Sequence, residues 1–521
     1  MSGSRAPVLM VQGTTSSAGK SLLVTALCRI FRQAGISVAP FKAQNMALNS
    51  AVTCDGLEIG RAQAVQAEAA EIEPSVDMNP ILLKPEGDRR SQVVVLGKVL
   101  ASMAAREYHE HKPELRTVVA DALDRLRRKY QLVIIEGAGS PAEINLKERD
   151  LVNMFVARLV NAPVLLAGDI DRGGVFASFV GTMELLEPEE RALVRGFVVN
   201  NFRGDRALLE PGLDFLSRRT GVPVVGVIPH IPNLQIAEED SLALQWRTRK
   251  APAPDTVDIA VVCFPRISNY DDFQPLEHLP GVSLRFVTTP DEVCDADLLI
   301  LPGSKSTISD LAWLRSTGFE ELIRARASNG RPVMGMCGGC QMLGQAIEDP
   351  EAIESPTPYA DGLKLLDLKT RFSANKMTAQ VTFRTRLSGF WGMSGEQDLH
   401  GYEIHMGMIE QTAGTAPFEI VIRNGMPARI SDGAVNESGS VMGTMIHGFF
   451  TNQPLREALI RSLQRRKGLP EQALIAPMNK VMEYDRLAGF VRAGLDLPFI
   501  SQLTSISASQ LKPESSEVQT A

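Results

Sequence analysis

The chain has 521 residues, of which 44% are hydrophobic and 22% are charged, so it is long enough for two to four globular domains. Its formal net charge of −7 argues against nucleic acid or an anionic membrane as the main partner. The N-terminal residues lack the features of a secretory signal, no apolar run is long enough to span a bilayer, and six cysteines do not make a disulfide scaffold. We therefore expect a cytoplasmic protein without membrane insertion.

Short apolar runs alternate with helical segments from residue 7 to about residue 232. The strand-length runs are APVLMVQ, QLVIIEGAG, APVLLAGDID, VRGFVVNNF and VPVVGVIPHI. The last four are rich in β-branched residues, and their apolar parts end in Gly, Asp, Asn or Pro. Such runs are typical of buried parallel strands whose crossover helices cover both faces of the sheet. Ligands bind beyond the carboxyl ends of these strands, where Glu136, Asp169 and Asn200 fall.

A phosphate-binding loop is predicted between the first strand and a helix over SLLVTALCRIFRQAG. The predicted ATP-binding residues of this loop, GTTSSAGKS, are Gly13, Thr14, Thr15, Gly19, Lys20 and Ser21. In such loops backbone N–H groups surround the phosphates, the lysine reaches the β- and γ-phosphates, and the hydroxyl ligates Mg²⁺. Five residues separate the two glycines instead of the usual four, so Thr14 stands in the usual first-glycine position.

Acidic residues that follow strands are the candidates for completing a Mg²⁺ site with Ser21. Glu136 ends QLVIIEGAG and stands where the acidic residue after a Walker B strand belongs. The weaker metal candidates are Asp55, Glu58, Asp169 and Asp171. The candidate substrate-binding residues, which fall near the expected strand ends, are Asn45, Asn145 and Asp169.

A second alternating series follows a charged, Pro/Ala-rich stretch at QWRTRKAPAPDT. It consists of VDIAVVCF, VSLRFVT, ADLLILPGS and RPVMGMCGG, and then MTAQVTF, GYEIHMGMIE and VMGTMIHGFF, which favour a mixed sheet. PLREALIRSLQRRKG predicts an amphipathic helix, and the polar SASQLKPESSEVQTA predicts a disordered tail. The predicted division is a first domain over residues 1–244, a linker over 245–257, a second domain over 258–455, a helical extension over 456–502 and a disordered tail over 503–521.

A cysteine nucleophile is predicted at Cys337, in the strand–turn–helix sequence RPVMGMCGGCQMLG. Gly335 and Gly339 flank it with the G-x-C-x-G spacing that a strained nucleophile turn requires. The start of a helix lowers the pKa of a thiol and so raises the fraction of reactive thiolate.

Backbone donors for a tetrahedral oxyanion are predicted beside this cysteine. The N–H of Gly338 is one candidate, and a second comes from Gly303 or Ser304 in the loop after LLILPGSKST. Cys340 completes a C-x-x-C pattern, but no second pair lies at zinc spacing and no thioredoxin-like sequence surrounds it. The pattern therefore favours a buried small side chain over a redox or metal site.

A thiolate nucleophile needs a histidine base. Two histidines of the second series follow apolar runs, His405 and His447, and both remain candidates. His447 precedes a glycine at a predicted strand end, which favours it for close approach to the cysteine.

Motifs in both series resemble known families. LPGSKST, GMCGGCQMLG, GYEIHMG and GTMIHGFF resemble the cobyrinate-amidating branch of the class I glutamine amidotransferases. GTTSSAGKS, FKAQNMALNS, EGAGSPAEINL, DIDRGGVFAS, VNNFRGD and GVIPHIPNL resemble the dethiobiotin-synthetase-like P-loop domain of the same enzymes. The resemblance covers nearly the whole chain except the tail. It implies an α/β fold, with an N-terminal P-loop domain built on a parallel sheet followed by a class I glutamine amidotransferase α/β domain.

The activity that this resemblance implies is that of a glutamine-hydrolysing carbon–nitrogen ligase. The family uses ATP with Mg²⁺, and glutamine, to amidate the b, d, e and g carboxylates of a corrinoid, adenosylcobyrinic acid a,c-diamide, in cobalamin biosynthesis. The resemblance assigns the nucleophile to Cys337 and the base to His447. Most class I amidotransferases carry a glutamate two residues after that histidine, but Phe449 stands there in this chain. Glu403 or a backbone carbonyl is left to orient His447.

Two alternatives remain at this point. One is a ligase of the same architecture that amidates the a and c carboxylates of cobyrinic acid or a cell-wall carboxylate. The other is a P-loop regulator or partitioning ATPase with a degenerate amidotransferase domain. The order of the motifs disfavours the first. The second is disfavoured because the loop lacks an early signature lysine and because Cys337 and His447 are both present.

Overall fold

The computed structural model describes residues 5–87, 90–236, 253–277, 279–293, 295–386, 389–391, 395–414, 416–471 and 479–511. Most of the predicted linker 245–257 lies outside the described residues, and so do residues 512–521 of the predicted tail. Across the described ranges, no helix is both long enough and apolar enough to cross a bilayer.

A six-stranded parallel sheet forms the centre of the first half. The strands of this half are β1 Val8–Gly13, β2 Val38–Phe41, β3 Gln44–Met46, β4 Ser50–Val52, β5 Glu58–Gly60, β6 Ile81–Pro85, β7 Arg90–Val95, β8 Lys98–Ala104, β9 Leu132–Glu136, β10 Val164–Asp169, β11 Val194–Phe202 and β12 Val224–Pro229. The central sheet has the order β12–β11–β10–β1–β9–β2. All residues of β1 and β9 are buried, as expected for apolar strands covered on both faces.

Helices cover both faces of this sheet. They are α1 Lys20–Gln33, α2 Arg61–Ala69, α3 Ala105–Lys129, α4 Met154–Val160, α5 Val175–Leu185, α6 Pro188–Arg191 and α7 Arg206–Thr220. The five strands and the first helix predicted from the sequence are confirmed. A small sheet of order β3–β6–β7–β8 and the β4–β5 hairpin were not predicted. Strands β3, β4 and β5 have only three residues each, and β6, β7 and β8 contain polar residues.

A second parallel sheet carries the other half. The strands of this half are β13 Val257–Val262, β14 Ile267–Ser268, β15 Val282–Val287, β16 Leu298–Leu301, β17 Gly303–Ser304, β18 Val333–Met336, β19 Ala346–Glu348, β20 Tyr359–Asp361, β21 Leu368–Thr385, β22 Gly395–Gln411, β23 Phe418–Arg423, β24 Met426–Asp432, β25 Ala434–Val435 and β26 Val441–Thr444. The sheet has the order β15–β13–β16–β18–β26–β25, and only β25 is antiparallel. The long hairpin β21–β22 belongs to a separate, mostly antiparallel sheet.

The helices of the second half are α8 Gln274–Glu277, α9 Thr307–Ser316, α10 Phe319–Ser328, α11 Gly338–Leu343 and α12 Gln453–Lys467. The amphipathic helix predicted over PLREALIRSLQRRKG is confirmed as α12, whose Leu459 and Leu463 pack into the core of this half.

The chain returns to the first half at its C-terminal end. Three helices follow: α13 Lys480–Gly494, α14 Leu497–Thr504 and α15 Ala508–Leu511. Leu487 of α13 and the almost fully buried Leu511 belong to the same core as α1. The prediction of a disordered tail from residue 503 is therefore wrong for residues 503–511, because apolar side chains at the ends of that segment anchor it to the first half.

Candidate active sites

The phosphate-binding loop lies between β1 and α1. Gly19 begins α1 at a φ of 84°, and a β-carbon there would lie 1.9 Å from the side-chain nitrogen of Asn200, so only glycine fits. The buried Lys20 donates from Nζ to the carbonyl oxygens of Thr15 and Gly139, at 2.8 and 3.2 Å. A lysine held there can reach the phosphates of a nucleotide bound by the loop.

Glu136 is fully buried at the end of β9 and faces this loop. Its carboxylate accepts hydrogen bonds from Ser21 Oγ at 2.8 Å and from Lys42 Nζ at 2.9 Å. The side chain of Gln66, on α2, donates to the other carboxylate oxygen. Mg²⁺ is bound in nucleotide sites by one or two carboxylates together with phosphate oxygens, so the oxygens of Ser21 and Glu136 fit this ion. The part of the chain that the structure describes has no cluster of three His, Cys, Asp or Glu side chains that could hold a metal without such help.

The weaker metal candidates Asp55 and Glu58 lie at the contact between the halves instead. Asp55 is exposed in the β4–β5 turn, and its neighbour Gly56 packs against Asn424 of the second half. Glu58 is buried and forms a 2.7 Å ion pair with Lys84. These contacts do not support a metal role for either carboxylate.

A cleft of about 1170 Å³ opens beside the segment that follows β9. Gly139, which accepts from Lys20, lines it. Exposed apolar side chains also line it, namely Met46, Ile144, Leu146 and Leu159, and so do the cations Lys112, Arg116, Lys147, Arg149 and Arg158. Carboxylates line it as well, namely Glu143, Glu148, Asp150, Glu187 and Glu190. The cleft thus combines apolar surface with charges of both signs next to the phosphate-binding loop.

The three predicted substrate residues are placed differently. Asn45 is buried next to Met46 and donates to Gln63 at 3.2 Å. Asn145 is exposed between two residues that line the cleft. Asp169 does not line the cleft, and it accepts a hydrogen bond from the backbone N–H of Asp171 at 3.0 Å.

A second cavity, of about 300 Å³, lies at the carboxyl edge of the first sheet. Asn200 and His230 line it from the strand ends, and Leu487 and Val491 line it from α13. The Asn200 side chain also donates to the carbonyl oxygen of Ala18 in the phosphate-binding loop, at 3.1 Å. Helix α13 therefore forms one wall of a cavity that adjoins the loop.

Cys337 occupies a strained turn between β18 and α11. Its φ of 47° and ψ of −109° fall outside the favoured regions for a non-glycine residue. A β-carbon at Gly339 would lie 2.0 Å from the carbonyl oxygen of Leu301, so a side chain is excluded there. Gly338 packs against Ser304, because a β-carbon on it would lie 2.8 Å from the Ser304 nitrogen. The predicted strand–turn–helix geometry is confirmed.

His447 is buried beside this cysteine. Its Nδ1 lies 2.6 Å from Oδ2 of Asp272, whose other oxygen accepts from the Gly448 N–H at 2.8 Å. Burial favours the neutral ring, but the negative charges of Asp272 and Cys337, and hydrogen bonds to both, raise the pKa of His447 to about 10. A thiolate beside an imidazolium that a carboxylate orients can attack a carbonyl carbon and then protonate the leaving group.

Neither of the candidates left open by the sequence, Glu403 and a backbone carbonyl, orients His447. Glu403 pairs with Arg423 at 2.7 Å, and its Oε1 lies 3.6 Å from Nε2 of His405. Phe449, at the usual glutamate position, packs against Phe418 in an aromatic cluster. The orienting carboxylate comes instead from Asp272, 175 residues earlier in the chain.

Sequence reasoning missed Asp272, although a signal was present. The segment NYDDFQ places two carboxylates between aromatic residues shortly after a predicted buried strand. That strand, β13, lies in the same sheet as β18, which leads to Cys337. Carboxylates near the carboxyl ends of such strands belong among the site candidates.

Cys340 is fully buried in α11, and its Sγ would lie 2.6 Å from a β-carbon at Gly443. Burial raises the pKa of its thiol well above the usual value, which opposes redox chemistry. These facts favour the small buried side chain expected from the sequence.

Both halves line the small cavity beside Cys337, which measures about 50 Å³. Lys84 and Gln92 reach it from the first half, and Lys376 and Gln341 reach it from the second. Lys376 also pairs with Glu58, so the two halves meet through a buried ion-pair network at the edge of this cavity.

Two family models match the two halves of the chain. A model described as the CobQ/CobB/MinD/ParA nucleotide binding domain matches residues 9–244, and one described as the CobB/CobQ-like glutamine amidotransferase domain matches residues 258–455. A cobyric acid synthase of Sorangium cellulosum is 58% identical over 512 residues, covering 96% of this chain and 98% of the relative. Enzymes of the same name from Dehalococcoides mccartyi strain CBDB1 and Moorella thermoacetica are 52% and 49% identical, each over 94% of this chain and 97% and 96% of their own lengths.

Solved structures are more distant. PurLQS from Thermotoga maritima matches 44% of this chain and 99% of its own chain, at 19% identity and a TM-score of 0.31. A glutamine amidotransferase matches 40% of this chain and 99% of its own, at 18% identity and a TM-score of 0.29. At these values neither structure adds to the fold described above.

Proposed function

The chain belongs to the cobyric acid synthase family, and we propose that it amidates the b, d, e and g carboxylates of adenosylcobyrinic acid a,c-diamide with ATP and glutamine, forming cobyric acid. One observation carries the proposal: a phosphate-binding loop with a buried carboxylate and a Cys–His–Asp set occur in one chain whose halves join through buried contacts. The substrate is inferred from the family to which the chain belongs.

The first half activates the carboxylate, because hydroxide is too poor a leaving group for direct amide formation. A corrinoid carboxylate oxygen attacks the γ-phosphorus of ATP, the bond to the β-phosphate oxygen breaks, and an acyl phosphate and ADP result. The residues Gly13, Thr14, Thr15, Gly19, Lys20 and Ser21 hold the phosphates in this proposal. Lys20 and Lys42 neutralise the charge that develops on the transferred group.

Mg²⁺ would be held by the hydroxyl of Ser21 and the carboxylate of Glu136, which are 2.8 Å apart. The ion supplies charge neutralisation on the phosphates when it is bound. The buried contacts of Lys42 and Gln66 with Glu136 keep that carboxylate directed at the loop.

The second half releases ammonia from glutamine. The Cys337 thiolate attacks the side-chain amide carbon, and the oxyanion that forms faces the N–H groups of Gly338 and the Gly303 loop. His447 protonates the departing nitrogen, so ammonia leaves and a thioester remains. Water, deprotonated by His447, then hydrolyses the thioester to glutamate, while Asp272 keeps the ring oriented.

Ammonia attacks the acyl phosphate, and inorganic phosphate leaves with the electron pair of the broken bond. Ammonia in neutral water is mostly protonated and unreactive, so direct transfer between the halves preserves the nucleophile. Exclusion of water also protects the acyl phosphate from hydrolysis. Positioning both reactants together supplies roughly 7–11 kcal/mol of the barrier.

The corrinoid binds in the 1170 Å³ cleft beside Gly139. Its exposed apolar residues suit the face of a macrocycle, and the cations in its mixed-charge lining can pair with the peripheral carboxylates. Four carboxylates must reach one acyl-transfer site in turn, and a wide cleft permits the corrinoid to rebind in new orientations. Asn45 and Asn145 beside the cleft, and Asp169 at a strand end, are assigned to substrate binding.

The smaller cavity lined by Leu487 and Asn200 takes the adenine base. Apolar walls with a few amides and a histidine suit a purine, and Asn200 connects the cavity to the phosphate-binding loop. The domain division follows as residues 1–244 and 258–455, supported by the extents of the two family matches. Cytoplasmic location is supported by five free cysteines among the described residues.

The test offers the enzyme two corrinoids, adenosylcobyrinic acid a,c-diamide and adenosylcobyrinic acid, with ATP, Mg²⁺ and glutamine, and follows the products by mass spectrometry. Four successive amidations of the a,c-diamide support the proposal. Amidation of the a and c carboxylates of cobyrinic acid would instead assign the chain to the alternative activity, the formation of cobyrinic acid a,c-diamide. A lack of amide with either corrinoid would refute the substrate.

A further inference from the structure

The carboxylate that orients His447 lies on a short segment that the first half contacts at two residues. Asp272 belongs to a short 3-10 helix, Tyr270–Phe273. At its start, the side chain of Asn269 accepts a hydrogen bond from the backbone N–H of Ser50, in β4, at 3.0 Å. Next to Asp272, the carboxylate of Asp271 lies 2.9 Å from Nε of Arg61, the first residue of α2.

Arg61 makes a second contact beside His447, with Tyr402. Its terminal nitrogen donates to the hydroxyl of Tyr402 at 2.8 Å. The Tyr402 ring is stacked on the His447 ring, with centroids 5.2 Å apart and planes 15° from parallel. Tyr402 and His447 also exchange two backbone hydrogen bonds, at 2.8 and 3.1 Å. One guanidinium therefore fixes the neighbour of Asp272 and the ring that covers His447.

Charge explains why a cation is needed at this place. Asp271 and Asp272 are adjacent and largely buried, so their negative charges repel each other. Burial raises the pKa of the Asp271 carboxyl, and the charge of Arg61 opposes that rise. With Arg61 paired to Asp271, Asp272 remains the acceptor for His447 and Gly448.

Arg61 is itself rigidly placed. It begins α2 directly after the β4–β5 hairpin, and its backbone N–H donates to the Asn49 carbonyl at 3.3 Å. Farther along the same helix, Gln66 donates to Glu136 of the nucleotide site. The first residue of α2 thus contacts Asp271 and Tyr402, which adjoin the site of His447, and Gln66 of the same helix contacts the carboxylate of the nucleotide site.

We propose that Arg61 is a positioning residue for glutamine hydrolysis, supplied by the nucleotide-binding half, which holds Asp272 and Tyr402 in place around His447. The inference rests on the proposed function only in taking Cys337 and His447 as the glutamine-hydrolysing pair. Arg61 does not line the cavity at Cys337, so it acts on the rate of the reaction rather than on the binding of glutamine.

The experiment measures glutamate release and amide formation in the full chain, with Arg61→Ala, Arg61→Lys and the matched control Gln380→Ala. Gln380 donates across the same interface to the Val52 carbonyl but does not contact His447. Arg61→Ala is expected to lower kcat for glutamine about tenfold or more while KM stays within about threefold, since positioning of the acid–base group is lost and the glutamine pocket is intact. Arg61→Lys should restore part of kcat, because an ammonium can pair with Asp271. It lacks the planar set of donors with which a guanidinium also binds the Tyr402 hydroxyl.

Asp271→Asn provides a second route if Arg61→Ala is unstable. It keeps the shape and removes the charge that Arg61 pairs with, so on its own it should lower kcat for glutamine while KM and amidation from ammonium change little. The inference is overturned if kcat of Arg61→Ala stays within about twofold of wild type, matches Gln380→Ala, or falls equally with glutamine and ammonium. An unchanged kcat for glutamine in Asp271→Asn would overturn the inference in the same way. Lack of glutamate release by the wild type would contradict the proposed function instead, so the two failures are distinguishable.

Discussion

The two sites of this molecule are assembled in opposite ways. The nucleotide site is local: the loop from Gly13 to Ser21 forms one strand-to-helix turn, and a neighbouring strand adds Glu136. The glutamine-hydrolysing site is dispersed. Cys337 and His447 follow adjacent strands of one sheet, Asp272 comes from an earlier turn, and Arg61 comes from the other half of the chain.

This difference explains how the sites depend on each other. A site made from a continuous loop keeps its geometry when the other half changes, because backbone groups do most of the binding. A site made from distant side chains depends on every contact that places them, including contacts across the interface. Changes in the nucleotide site should therefore abolish amidation with either nitrogen donor, whereas changes around His447 should affect only the use of glutamine.

The largest effect is expected for Glu136→Gln. The substitution removes the proposed metal ligand and the negative charge that pairs with Lys42, so amidation should fall about 10³-fold with glutamine and with ammonium alike. Measuring ADP and amide formation with each donor checks this. Equal activity of the variant and wild type with ammonium would contradict the role of Glu136 in the nucleotide site.

Asp272→Asn should have the next largest effect and should spare ammonium. Glutamine-dependent amidation is expected to fall about 100-fold, because the acid–base group loses its orientation. The charge of Asp272 helps to raise the pKa of His447 to about 10, so removing it lowers that pKa. The alkaline limb of kcat/KM for glutamine should then move from near pH 10 to lower pH. If the alkaline limb of kcat/KM for glutamine stays at the same pH in the variant, Asp272 is not the carboxylate that acts on His447.

A medium effect is expected for Leu487→Asp in the cavity assigned to adenine. A carboxylate in an apolar wall should raise the KM for ATP about tenfold and leave kcat for glutamine hydrolysis unchanged. The matched control is Met482→Asp, an exposed position on the same helix. If both variants bind ATP equally well, the base does not occupy this cavity.

The smallest effect is expected for Cys340→Ala. The buried thiol packs against Gly443 and takes no part in the reaction, so activity should stay within about twofold and stability should fall by about 1 kcal/mol. Urea denaturation and the amidation assay measure the two quantities. Loss of activity that depends on added reductant would revive a redox role for the C-x-x-C pair.

The features that the sequence predicted are those formed by consecutive residues of the chain. The main parallel strands, the phosphate-binding loop, the strained turn at Cys337 and the helix after His447 all follow from runs of residues with a fixed spacing. Periodicity and glycine placement report local backbone geometry directly, which is why these predictions succeeded.

The remainder depends on contacts that spacing does not encode. Arg61 reaches Asp271 and Tyr402 only because the halves dock, and the same docking pairs Glu58, which had been a metal candidate, with Lys376. The return of α13 to α1 is equally long-range, so its apolar residues predicted a helix without predicting the surface that it covers.

The most direct test of the two-site account compares amide formation on adenosylcobyrinic acid a,c-diamide with glutamine and with ammonium, in wild type and in Cys337→Ser. The account predicts that the variant loses glutamine-dependent amidation and glutamate release, yet keeps ATP-driven amidation from ammonium. Loss of both activities in a folded variant, or survival of the glutamine-dependent activity, would contradict it.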